Sequence, residues 1–202
     1  MRYEYVGLAA VCLAISSLTG CGTSSNEMYY TLSAGAAING ASFASGESDY
    51  SIAVGPITLP EIVDRPEFVL RAGPNAVTIV ELHRWAAPLK SEISRVIAEN
   101  LAADLNVKRV ATYPQSAGDN ADYRVLIDIQ RFDSTLAESV TIDTLWTVKR
   151  VSDGALRIGR STARESGSGG NYEALAAAHS RALATISREI AEAISTSAIT
   201  KR

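Results

Sequence analysis

Side chains able to do chemistry are sparse in this chain, and the most reactive is Cys21. It follows Leu18-Thr19-Gly20 and closes an apolar stretch that starts at Val6. A thiol behind two small residues, on a chain that can lie extended in an enzyme's cleft, is an acceptor for acyl groups. The second cysteine, Cys12, lies inside the apolar stretch. Once the first twenty residues are removed, no further thiol remains for a disulfide, a metal site or a nucleophile. Histidine occurs only at His83 and His179. His179 falls in a helical pattern and is expected to be a partly buried surface residue. There is no Gly-x-Ser-x-Gly, P-loop or His-Glu-x-x-His pattern. Asp128 and Asp143 form a carboxylate pair only if strand register aligns them, and solvated acids are the simpler reading. Gly167-Ser168-Gly169-Gly170 before a helix resembles an anion cradle. Without a lysine or a buried parallel strand before it, it reads as a linker. The chain is therefore read as a non-enzyme, with no cofactor and no metal site.

The elements around Cys21 explain its chemistry. Residues 1–20 have a basic start at Arg2 and an apolar core too short to span a bilayer comfortably. Leu18-Thr19-Gly20-Cys21 resembles the bacterial lipobox. Residues 1–20 then form a lipoprotein signal peptide, and Cys21 becomes the mature N-terminus, carrying acyl chains such as palmitate. Each buried CH2 adds about 0.8 kcal/mol, so several chains hold a protein on a membrane. In lipoproteins of double-membrane bacteria, Asp after the cysteine commonly retains the protein on the inner membrane. Gly22 stands there instead, which implies outer-membrane anchorage facing the periplasm. The net charge is -3 and is unchanged by removing Arg2 with Glu4. No basic patch interleaved with aromatics marks a nucleic-acid binder.

Residues 21–49 read as a lipidated tether and a flexible Ala/Gly/Ser-rich segment, with a short strand at 28–32. A single domain is expected over 50–199. Strands are expected at 50–57, 67–71 and 76–83, joined as a meander. A helix follows Pro88, with Leu89, Ile93, Val96, Ile97, Leu101 and Leu105 on its apolar face and Lys90, Glu92, Arg95 and Glu99 in solvent. It ends near Asn106. A short strand covers 109–113. Tyr123, Val125, Ile127 and Ile129 share one strand face, with Leu126 as an exception, and Val140, Ile142, Trp146 and Val148 share the next. Asp153-Gly154 marks a hairpin before a strand over 156–163. Asn171 is the expected N-cap of a last helix, whose stripe is Leu175, Leu183, Ile186, Ile190 and Ile194. The sum is an α+β fold: a mainly antiparallel or mixed sheet with two amphipathic helices packed on one face.

Several segments carry a family resemblance. They are Tyr29-Tyr30-Thr31-Leu32, Val54-Gly55-Pro56-Ile57-Thr58-Leu59-Pro60-Glu61, Asp64-Arg65-Pro66 and His83-Arg84-Trp85-Ala86-Ala87-Pro88-Leu89. Ile93 with Ala98-Glu99-Asn100-Leu101, Tyr113-Pro114, Asp122-Tyr123-Arg124-Val125 and Trp146 complete the set. Together they resemble the auxiliary lipoproteins of ABC-type lipid transport systems, the PqiC/YmbA type. The segment 33–49 is long for that family, and Ala87 stands where an acid is common. The resemblance implies work with an inner-membrane MCE-domain protein and an ABC permease and ATPase, moving phospholipids or similar amphiphiles. This chain would dock that machinery to the outer membrane, with a phospholipid as candidate ligand. A docking collar around a channel would make it a homo-oligomer. The exposed parts of Asp64, Arg65, Pro66, His83, Arg84 and Trp85 are the candidate partner surface. A structural reading stands beside it, in which the proline fixes a turn and Trp85 fills the core. The alternative functions are a structural envelope lipoprotein without transport and, less favoured, an envelope hydrolase.

Overall fold

The computed structural model describes residues 26–35, 48–115, 118–167 and 169–199. The expected signal peptide, Cys21, Gly22 and residues 36–47 of the Ala/Gly/Ser-rich segment lie outside the described residues. The described residues form two sheets and two helices, an α+β fold.

The larger sheet has the order β5-β2-β6-β7-β8, from β2 (Ser48–Thr58), β5 (Val107–Thr112), β6 (Tyr123–Thr135), β7 (Ser139–Arg150) and β8 (Leu156–Ser166). β2 pairs parallel with both β5 and β6, while β6, β7 and β8 pair antiparallel. The smaller sheet has the order β1-β4-β3. Its strands are β1 (Met28–Tyr30), β3 (Glu67–Gly73) and β4 (Ala76–Trp85). The helices are α1 (Leu89–Leu105) and α2 (Tyr172–Ile199). α1 packs on β2 and β5, α2 on β7 and β8, and the two helices on each other.

The expected meander of the first three core strands does not form. Ile52, Ala53 and Val54 are all buried in succession, the pattern of a parallel strand covered on both faces. β2 therefore lies inside the large sheet, between β5 and β6. Leu59-Pro60, the 3-10 turn Glu61–Val63 and Asp64-Arg65-Pro66 redirect the chain, and β3 and β4 form a separate hairpin.

The helix ends follow from local sequence. The Pro88 carbonyl accepts the N–H groups of Ser91 and Glu92 at the start of α1. Asn106 closes it in the left-handed region, φ 50°, with its N–H turned back onto Ala102 and Ala103. The N–H of Ala174 donates to Asn171 Oδ1 at 2.8 Å, which makes Asn171 the cap of α2. The core contains every residue of the two expected helix stripes, together with the inward faces of β6 and β7.

Part of the expected tether is docked on this body. β1 pairs with His83, Arg84 and Trp85 of β4, and Leu32 is 1% exposed. Leu32 N–H donates to Glu92 Oε2 at 3.0 Å, and its carbonyl accepts from Arg95 at 2.5 Å. Ser33 N–H reaches Ser180 Oγ and Gly35 N–H reaches Asn100 Oδ1. Glu92 is thus buried rather than solvated. A buried carboxylate needs donors, and Arg95 and the Leu32 amide supply them.

Candidate partner surface

The two segments singled out from sequence, 64–66 and 83–85, lie 17 or more residues apart and come together. The N–H of Trp85 donates to the Pro66 carbonyl at 2.7 Å. Glu67 then gathers the charges: Arg65 Nε donates to one carboxylate oxygen at 3.1 Å and Arg84 Nη2 to the other at 2.9 Å. Arg84 also lies 3.5 Å from Glu27, and Lys90 binds Asp64 at 2.6 Å. The Glu67 backbone N–H, followed by the Arg65 guanidinium, holds the Glu67 carboxyl below the usual carboxylate range. Three cations alternate with three anions across an exposed or half-exposed surface. Ile62 and Tyr29, both exposed, lie next to it in the chain.

Of the six candidates, Asp64 and Pro66 are exposed, and Arg65, His83 and Arg84 are half-buried. Trp85 is 5% exposed and is part of the core. It stacks on Phe68 at 4.2 Å and meets Phe132 edge-on, each such aromatic pair adding about 0.5–1.5 kcal/mol beyond its area. Trp85 therefore supports the surface from behind. His83 stacks on Tyr172 at 3.7 Å, and its Nδ1 hydrogen-bonds the Tyr30 hydroxyl at 2.7 Å.

His179 differs from expectation. It is fully buried, stacked on Phe132 at 4.0 Å, with Nε2 at 2.7 Å from Ser134 Oγ. Its Nδ1 has no hydrogen-bond partner in the structure. Burial pulls its pKa down to about 3. The register leaves Asp128 and Asp143 apart. Asp128 faces Leu145 across the strands and accepts from Thr58 and Gln130, whereas Asp143 faces Arg131 and accepts from Arg160 and Thr162. Arg160 holds the Asp143 carboxyl low. Among the described residues no group of three acids or histidines is placed to hold a metal ion. Nor is any helix there long and apolar enough to cross a membrane.

A second exposed feature escaped the sequence reading. On the outward face of the large sheet, Leu126, Thr147 and Ile158 lie in one cross-strand row, with Leu145 and Leu156 beside them. Ile158 is 73% exposed. The signal was present in Leu126, which broke the alternation of its strand.

With this geometry in hand, comparison with known proteins decides the family. The model of the ABC-type transport auxiliary lipoprotein component matches residues 30–191. The chain belongs to that family. Two solved structures share the fold of this auxiliary lipoprotein. One is an uncharacterized protein with TM-score 0.68 and 16% identity, covering 84% of this chain and 99% of its own. The other, from Xanthomonas campestris and assigned to DUF330, has TM-score 0.67 and 19% identity, covering 87% and 100%. No curated protein matches the chain. The family assignment gives the lipoprotein a transport-associated role in the cell envelope.

Proposed function

We propose that this lipoprotein is the outer-membrane-anchored, periplasmic component of a phospholipid transport system. In this role Cys21 carries the acyl chains, Gly22 permits sorting to the outer membrane, and the folded domain docks an inner-membrane MCE-domain protein served by an ABC permease and ATPase. The family match over residues 30–191 is the observation that carries the reading. The surface built from Asp64, Arg65, Pro66, His83 and Arg84 supports it. Its charges are fixed by the Arg65–Glu67–Arg84 and Lys90–Asp64 pairs. Fixed, alternating charges of this kind steer partners and set register more than they add affinity.

Mild detergent extraction of the lipidated chain, with mass spectrometry of co-purifying proteins and lipids, tests this role. An MCE-domain protein with its ABC subunits, and bound phospholipid, is the expected result. Recovery of peptidoglycan or unrelated envelope proteins alone would replace transport with a purely structural role.

A further inference from the structure

We infer that the end of the domain carrying the tips of the β3–β4 hairpin and the β6–β7 turn rests on the bilayer to which Cys21 is anchored. The inference builds on the anchored reading above and adds the orientation of the domain. Strand direction is the first argument. β1 runs parallel to β4, with Met28 beside His83. Followed backwards from Met28, the chain therefore leaves the body in the direction of Ala76 and the hairpin tip. Length is the second. Cys21 lies seven positions before Met28, and that stretch fully extended reaches at most about 25 Å. From His83 back to Ala76, β4 also covers seven residues, about 23 Å at strand rise. The tip thus reaches as far from β1 as the tether permits the bilayer to be.

The chemistry of this end suits a lipid surface. Val77 and Ile79 near the tip and Leu136 in the β6–β7 turn are exposed aliphatics. Between the two turns lies an open hollow of ≈ 510 Å³, lined in part by Arg71 and Arg131. Both arginines bind the single carboxylate of Asp133. Glu138 lines the same hollow, so these four groups carry no net charge and the aliphatic tips carry the contact. The exposed aliphatics at Leu156 and Ile158 sit at the far end of the sheet, beyond the opposite turn of β7. They serve as the internal control.

The test uses the full lipidated chain in vesicles of phosphatidylethanolamine and phosphatidylglycerol. Once Cys21 is acylated, an introduced cysteine is the sole free thiol. An environment-sensitive fluorophore is attached at Ile79→Cys, Leu136→Cys or Ile158→Cys, with thermal melts to confirm folding. The expected result is blue-shifted emission and several-fold protection from aqueous iodide at 79 and 136, but not at 158. Equal quenching at all three sites would overturn the orientation and leave the anchor intact. Intact mass read on the same samples separates the two claims. A mature N-terminus without acyl chains would overturn the anchored reading, and the orientation with it.

Discussion

At the scale of single residues, burial decides the charge of His179. The folded chain protonates it only near about 3, whereas an unfolded imidazole takes its proton near about 6.5. Between those values the unfolded state binds more protons, so stability falls as pH is lowered through the window. Thermal melts are expected to drop progressively below about pH 6.5, and His179→Phe should flatten that slope. An unchanged slope in the variant would assign the acid sensitivity to other groups. Trp85 and Arg84 are neighbours in sequence with opposite roles. Trp85→Ala empties a core position and is expected to cost about 3–5 kcal/mol in denaturant unfolding. Arg84→Ala is expected to cost less than about 1 kcal/mol, as exposed ion pairs do. It should weaken partner binding in a protein that remains folded. The sequence singled out both residues together, as part of the candidate partner surface. It left two readings open, Trp85 in the partner surface or Trp85 in the core, because strand alternation on a small, bulged sheet does not fix the facing of its last residues.

At the scale of elements, β7 and β8 pack tightly where Trp146 crosses Gly159. These two residues are direct partners in the β7–β8 register. A β-carbon at Gly159 would lie 2.1 Å from Trp146 Cζ2. Trp146 is held there by its Nε1–H, which donates to Ser161 Oγ at 2.9 Å. Gly159→Val is expected to lower stability by about 1–3 kcal/mol through overpacking, read by urea unfolding; a neutral result would mean that the edge strand moves aside freely. Helices and the antiparallel strands were legible because each shows its own period, with Asn106 and Asn171 as readable ends. The split into two sheets was not. β2 alternates in sequence like an ordinary half-buried strand although Ile52, Ala53 and Val54 are all buried, and strand partners distant in sequence leave no local trace. The docking of residues 32–35 between the helices was hidden for a similar reason. It rests on backbone N–H groups that donate to the side chains of Glu92, Asn100 and Ser180, residues that look like ordinary polar helix positions. The buried pairing of His179 with Ser134 likewise depends on an approach across elements that spacing does not reveal.

At the scale of the whole molecule, the chain is a lipoprotein domain whose N-terminal segment is fastened to its body. Leu32 is held at both its N–H and its carbonyl by α1. In the proposed role, a pull on the lipid anchor is therefore transmitted to the helices as well as to β1. Acylation at Cys21 is expected to be complete for this arrangement. Metabolic labelling with an alkyne palmitate should mark the wild type and not Cys21→Ser; equal labelling would move the lipid elsewhere. The central claim is that the exposed residues around Glu67 dock an inner-membrane transport protein. The most direct measurement is site-specific photo-crosslinking in intact cells, with the crosslinking residue placed at Arg84, at Lys90 or at the distant Arg157. The account predicts a crosslink to an MCE-domain protein from positions 84 and 90 and none from 157. A crosslink from 157 alone, or none to any inner-membrane protein from positions 84 and 90, would contradict it.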